Sequence, residues 1–317
     1  MRQGALAYGI LALLLAAVWG IELFLVPWTD PYLTDIVIRV GINLLAVMGL
    51  ALVLGFTGQF SLGHAGFMAV GAYAAAASTL YAGVPPVGGI VVGGLVAALA
   101  GFGVGLPTLR LSGDYLAVVT LGFNGIIIVL IQNSPALGGA QGLTGLPVAT
   151  TFGLTFTCVV LGGLFIRNLL VSPLGRVFEA VRDNEIATRS LGIDTTRAKV
   201  LAFVVGAFWA GVSGALIAYY RSSIFPSQFQ FDRSIEQVAM VVLGGTGSLS
   251  GPLIAATILS ALPEVLRPVA QYRMVIYSIV LIAMMILRPT GLLGNHELSD
   301  VLKRLWQKRP GARSTAA

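Results

Sequence analysis

The chain is short of the residues on which most soluble chemistry depends. It has one cysteine and two histidines, and only 10% of its 317 residues are charged, where a water-soluble domain carries roughly 25%. Cys158 stands alone in an apolar stretch, so no disulfide framework or thiolate metal centre exists. His64 and His296 lie far apart with no Cys or His at ligand spacing, which indicates no metal site. Nor do they supply the nucleophile and base that a membrane enzyme needs. No Gly-x-x-x-x-Gly-Lys-Ser/Thr phosphate loop is present, so the chain does not bind ATP in that manner. The long apolar stretches also lack central ionisable groups. Glu22, Arg39, His64, Arg167, Lys199, Glu236, Arg273 and Arg288 all fall near stretch ends, leaving Asn43 and Asn124 as polar interior residues. Ion-coupled carriers usually need buried carboxylates, Lys or His. No cofactor and no catalytic residue is expected in this chain. The net charge of +6 sits in loops beside apolar stretches, so nucleic acid is not an expected partner.

What remains is overwhelmingly apolar: 56% hydrophobic residues and a mean hydropathy of +0.90. That composition belongs to an all-α polytopic membrane protein. Stretches long enough to span fall at about 5–27, 36–54, 63–81, 86–107, 115–132, 151–171, 199–220 and 271–288. The first is too long for a signal-peptide core and reads as a membrane helix. A ninth stretch, 235–263, is split by Gly244-Gly-Thr-Gly-Ser-Leu-Ser-Gly-Pro252. The expectation is about eight full spans plus a short broken helix pair, with an internal repeat. Residues 1–294 form the transmembrane domain, and 295–317 a basic cytoplasmic tail.

The repeat is Val53-Leu-Gly-Phe-Thr-Gly-Gln-Phe-Ser61, which recurs with six identities as Val242-Leu-Gly-Gly-Thr-Gly-Ser-Leu-Ser250. Such a segment does not stay helical cheaply, and in lipid its freed backbone groups must face protein or a water-filled cavity. Paired breaks in a hydrophobic chain point to a transport path. Thr57, Gly58, Ser61, His64, Gly244, Thr246, Gly247 and Ser250 are the candidate path or helix-break residues. The structural alternative is that the hydroxyls satisfy broken backbone, the glycines act as hinges, and His64 caps a helix or bonds a freed carbonyl.

Lys and Arg set the orientation. With the N-terminus inside, the inner side receives fourteen of the 19 basic residues, including Arg110, the cluster from Arg167 to Lys199 and the tail from Arg288 onward. A single crossing by 235–263 would put the basic tail outside. A pair of short helices that enters and returns keeps the tail inside and leaves Glu236 and Glu264 at the outer face. Two segments, 133–150 and 221–234, are long outer loops that act as docking surface, gate or plain connection.

The most polar interior stretch is the inner loop, 172–198. Arg176 to Leu191 reads as one amphipathic helix of about 15 residues, roughly 22 Å long at about 1.5 Å per residue. Glu185 and Arg189 form a favourable i,i+4 pair, Gly192 suits the C′ position, and Asp194 or Thr195 caps the next helix. It is either a rigid lever gripped by a cytoplasmic protein or an interfacial helix drawn to anionic lipid. Glu179, Asp183, Glu185 and Asp194 favour the protein partner.

Several motifs resemble those of inner-membrane permeases of branched-chain amino-acid ABC importers. They are Gly58-Gln-Phe-Ser-Leu-Gly-His-Ala-Gly-Phe-Met-Ala-Val-Gly-Ala-Tyr73, Leu109-Arg-Leu-Ser-Gly-Asp-Tyr-Leu-Ala-Val-Val-Thr-Leu-Gly122 and Gly138-Gly-Ala-Gln-Gly-Leu-Thr-Gly-Leu-Pro147. Gly175-Arg-Val-Phe-Glu-Ala-Val-Arg-Asp-Asn-Glu185, Gly244 to Pro252 and Arg288-Pro-Thr-Gly-Leu292 complete the set. The likeness covers about residues 36–294 and is similar to the LivM-type subunit, the partner with the longer N-terminal region. The resemblance implies a multi-pass protein of the bacterial inner membrane with both termini cytoplasmic. It also implies a heterodimer with a second, related permease, two cytoplasmic ATP-binding subunits and an extracytoplasmic solute-binding protein. It makes the inner loop the ATPase-coupling segment, with Glu179, Ala180, Arg182, Glu185, Arg189 and Gly192 as its candidate residues. The general importer pattern has Glu-Ala-Ala followed by Gly six positions after the Glu. Here the triplet is Glu-Ala-Val, position 185 is Glu, and the candidate glycine is Gly192.

The function expected is therefore a non-enzymatic permease subunit for branched-chain or other hydrophobic amino acids, with ATP hydrolysed in separate subunits. The alternative is a passive channel or facilitator for a small neutral solute such as urea.

Overall fold

Helix starts and stops follow local chemistry. The computed structural model describes residues 2–108, 113–267, 272–287, 291, 292 and 294. α1 spans Arg2–Phe24. α2, Pro31–Leu50, begins with Asp30 accepting from the Tyr32 N–H and proline at the first helical position. It continues as a π-helical turn, Ala51–Phe56. α3 is His64–Ala82, α4 Pro86–Thr108, α5 Asp114–Gln132 and α6 Phe152–Val171. Two short helices, α7 (Pro173–Asp183) and α8 (Glu185–Ser190), lead to α9, Thr195–Ala218. α10 (Phe231–Gly244) and α11 (Ser250–Val265) form a hairpin, and α12 covers Arg273–Leu287.

Among the described residues, seven helices are long and apolar enough to cross a membrane. They match seven of the eight expected spans. The eighth corresponds to α12, whose flanks at 268–271 and 288–290 lie outside the described residues, as do Leu109–Ser112, His296 and the tail 295–317. Leu95, Leu99 and Phe102 on α4, and Val118, Ile126 and Leu130 on α5, remain exposed on the bundle's sides. An apolar flank of that extent suits lipid rather than water.

α9 is the centre of the bundle and touches α2, α3 and α4 along its length. There the helices meet backbone to backbone. A Cβ built on Gly71 of α3 would lie 2.3 Å from the Gly211 Cα, and one on Gly214 would lie 2.0 Å from the Met68 carbonyl. Gly93 of α4 faces the Gly71 carbonyl, and Gly206 of α9 faces Gly49 of α2. Small residues are what let membrane helices approach this closely, because lipid gives no hydrophobic force to hold them. α1 is peripheral and leans on α6, where the Glu22 carboxylate accepts the Gly153 N–H at the helix start.

The two long loops are joined, which the sequence did not foretell. Leu143–Thr144 (β1) pairs antiparallel with Ser223–Ile224 (β2). Gly142, at φ 72, makes this possible, since a Cβ there would sit 2.0 Å from the Ile224 carbonyl.

The meeting of α3 and α9 gives a direct test. Gly71→Ala should cost about 1–3 kcal/mol through overpacking, read as a lower unfolding midpoint in detergent. Gly103→Ala, with nothing within 4 Å of the new methyl, should leave the midpoint unchanged.

Candidate functional site

The first break is a π-helical turn followed by a non-helical segment that doubles back. Its backbone groups are met by side chains and neighbouring carbonyls. The Thr57 hydroxyl donates to the Val53 carbonyl at 2.6 Å, and the Gln59 N–H donates to the same oxygen at 3.0 Å. Thr120 Oγ1 accepts from the Leu62 N–H at 3.0 Å, and the Ser61 hydroxyl from Gly63 at 3.4 Å. His64 opens α3, buried, with Nε2 bonded to the Ala46 carbonyl at 2.9 Å. Ser234 Oγ accepts from the Ala65 N–H beside it. Thr57 and Ser61 thus bond backbone groups of the break itself, and His64 bonds a carbonyl within α2. Asn124 is different: it packs against Gly66 of α3, but its Oδ1 has no hydrogen-bond partner among the described residues.

The second break is the turn of the α10–α11 hairpin. Gly244 and Gly251 cross so tightly that a Cβ on Gly251 would lie 2.2 Å from the Gly244 carbonyl. Gly245, not Gly247, holds the glycine-only conformation there, at φ 108. The Ser248 hydroxyl accepts from the Gly251 N–H, Ser250 begins α11, and Thr246 is exposed. The two breaks meet: a Cβ on Gly55 would come within 2.8 Å of the Thr246 carbonyl.

The loop that follows α6 differs from expectation. Instead of one helix over 176–191, the chain bends at Asn184, with φ −160° and ψ 100°. The Asn184 side chain accepts from the Ala187 N–H, so it caps α8 rather than continuing α7. Short polar side chains compete with the helix in this way. The bend divides what a single amphipathic helix would align: Val181 and Thr188 are buried, while Leu191 is 80% exposed. Gly192, at φ 81, terminates α8 as expected, and Asp194 caps α9 through the Arg197 N–H.

This loop is fastened to the first break. Phe178 and Val181 of α7 pack with Leu52 and Phe56 of the π-helical turn and with Ala198 and Ala202 of α9. Arg182 Nη1 donates to the Gly55 carbonyl at 3.3 Å, and its side chain covers Gly58, whose φ of +67 requires glycine. The Ala180 carbonyl accepts from the Thr188 hydroxyl, tying α8 back to α7. Glu185 bonds Lys199, Arg189 and Thr195, anchoring α8 to α9. Glu179 is exposed on the opposite face of α7.

Sequence reasoning also missed a charged cavity. Glu236 and Glu264 do share one end of the hairpin, but they line a recess of about 400 Å³ with Arg39, Asn43 and Arg233. α2 and its π-helical turn run unbroken from Pro31 to Phe56. Arg39 and Asn43 therefore lie about 12 and 18 Å along a helix of about 39 Å. The expectation that charge is confined to span ends fails here. The apolar stretch was counted from 36, whereas the helix starts at Pro31, and the hairpin helices are too short to carry their charged ends to the edge. The clue available in the sequence was Arg39 falling only four residues past Asp35, the end of a stretch of mixed polarity.

A family profile described as "Branched-chain amino acid transport system / permease component" matches residues 32–288. The chain belongs to this family. It is 38% identical over 294 residues to the high-affinity branched-chain amino acid transport system permease protein LivM of Salmonella typhimurium, covering 82% of this chain and 69% of the relative. The LivM protein of Escherichia coli K12 matches to the same extent. The LivH permease protein of the same strain is 32% identical over 151 residues, 47% of each chain. Two related permeases thus belong to one transport system there, and the chain is a multi-pass membrane permease component of that kind. No solved structure matches it.

The Glu185 anchor has a definite pH response. Burial pushes its carboxyl upward, but the Lys199 ammonium, the Thr195 hydroxyl and Arg189 together outweigh that and hold it below its ordinary 4.5. A lowered carboxylate stabilises above the unfolded value and loses this as pH falls through the folded one. Amide exchange across 185–195, corrected for intrinsic rate, should stay flat from about pH 7 to about pH 5 and accelerate only below the ordinary carboxylate range. Glu185→Gln should give the accelerated exchange already at neutral pH.

Proposed function

We propose that this chain is one permease of a heterodimeric ABC importer for branched-chain and related hydrophobic amino acids, in the inner membrane of a bacterium. Its partners are a second, related permease, two cytoplasmic ATP-binding subunits and an extracytoplasmic solute-binding protein. The α7–α8 loop faces the cytoplasm with both termini, and the β1–β2 loops face outward. The family description favours this reading over a passive facilitator for a solute such as urea.

The observation that carries the mechanism is the bond from Arg182 to the Gly55 carbonyl. α7 and α8 form the segment gripped by an ATPase, with Ile186 and Leu191 exposed at 81% and 80% as its apolar contacts. When ATP draws the ATPases together, α7 moves with them. Arg182 and Phe178 carry that motion to the π-helical turn, and the close approach of Thr246 to Gly55 passes it to the α10–α11 hairpin. A π-helical turn is a suitable place for such a rearrangement, because its hydrogen bonding is already altered from the α pattern.

Purification from the native membrane in mild detergent should recover two ATPases and a second permease, and deletion of 176–191 should lose the ATPases. Arg182→Ala should keep the assembly and its ATP hydrolysis but reduce amino-acid uptake at least about tenfold, roughly the loss of one charge-assisted bond. A chain recovered alone, with flux indifferent to ATP, would sink the importer reading.

A further inference from the structure

The recess between α2, α10 and α11 is built as a balanced ionic site. Arg39 bonds Asp35 and Glu264, and Glu264 also accepts from the Tyr32 hydroxyl at 2.7 Å. Arg233 bonds Glu236 at 2.7 Å and the Asn43 side-chain oxygen, while the Asn43 amide donates to Ser260. Arg221, the third guanidinium on the wall, lies 5.6 Å from the Tyr220 ring centroid. Glu236 and Glu264 face these three guanidiniums in the lining, and Asp35, which pairs with Arg39 from just outside it, brings the charges to balance. Ile42 and Ile217 are among the apolar residues of the lining.

The depth of this cluster separates it from ordinary loop ion pairs. Along α2, Arg39 is about 24 Å from Gly55 and Arg182, so the recess sits towards the opposite end from the α7–α8 loop. It also lies well inside the helix rather than at its start. Ionisable groups at such depth are costly and persist where they pair and line a water-filled cavity. A neutral, dipolar site does not select a net anion or cation. It selects a molecule that carries one of each.

We infer that this recess is an acceptor site for the zwitterionic head of an α-amino acid, a conclusion that rests on the importer reading. Arg233, steadied by Asn43, takes the α-carboxylate. Glu264 takes the α-ammonium, and Ile42 and Ile217 meet the side chain. Binding exchanges protein ion pairs for protein–ligand ion pairs and keeps their number, so the net gain is small and affinity is weak, about millimolar. A transport intermediate requires that weakness, since the ligand must leave. A neutral solute such as urea has no charges with which to open the pairs, so the same arrangement rejects it.

The test uses the complex purified with its permease and ATPase partners, reconstituted in nanodiscs without binding protein. Labelled leucine should bind saturably, and leucinamide and N-acetylleucine, each lacking one charge, should compete at least about tenfold more weakly. Arg233→Gln should abolish the preference for leucine over leucinamide while keeping that over N-acetylleucine, and Glu264→Gln the reverse. General misfolding does not produce such opposite losses, and the analogue comparison on the unaltered protein needs no variant. Equal competition by all three compounds, or no saturable binding while ATP-driven uptake with binding protein persists, overturns the site and leaves the importer reading standing. Absence of ATP-driven uptake of leucine, isoleucine and valine overturns both.

Discussion

Everything in this bundle depends on how closely α9 can approach its neighbours. Gly206 lies against Gly49 of α2, Gly211 against Gly93 of α4 and Gly71 of α3, and Gly214 against the Met68 carbonyl of α3. Without a hydrophobic force between helices in lipid, this close packing is the main source of cohesion. It also makes α9 the common reference for both ends. At its start, Lys199 holds Glu185 and Ala198 carries α7. Beyond its end, buried Tyr219 bonds Thr79 and the Ala75 carbonyl, and the β2 strand follows.

Against that fixed frame, the two breaks are the adjustable parts. The first is nearly closed as a hydrogen-bonding system: hydroxyls of Thr57, Ser61, Thr120 and Ser234 take up groups that a continuous helix would have satisfied. These bonds act beside apolar packing, since Leu52 and Phe56 of the same turn are buried against Phe178, Val181 and Ala202. The second break rests on the first where the Thr246 carbonyl lies against Gly55, a position with no side chain to hold it off. Arg182 reaches from the loop that follows α6 to the carbonyl of Gly55, the same residue that the hairpin turn approaches.

Charge is placed economically. Acidic groups that sit within the protein body, such as Glu264, Glu236 and Glu185, each have a cation or hydroxyl within bonding distance. Pairing removes most of the penalty that an isolated charge would incur away from water. Among the described residues, this pairing gathers ionic groups in two places along α2, one beside the loop helices and one in the recess.

The pattern of apolar stretches by itself determined the helical membrane class, the spans and the position of both breaks, because a helix must satisfy its own backbone in lipid and needs about 20 apolar residues to cross. The return of the hairpin was legible from charge balance, and the end of α8 from Gly192. Three things were decided only in three dimensions. Asn184 split the loop helix because a side-chain bond competed with helix continuation, a contest that periodicity does not register. The pairing of β1 with β2 joined segments distant in sequence. Finally, Arg39, Arg233, Glu236 and Glu264, each near an apparent span end, came to face one recess. Depth is set by where a helix starts and how its neighbours pack, and no single stretch of sequence contains that information.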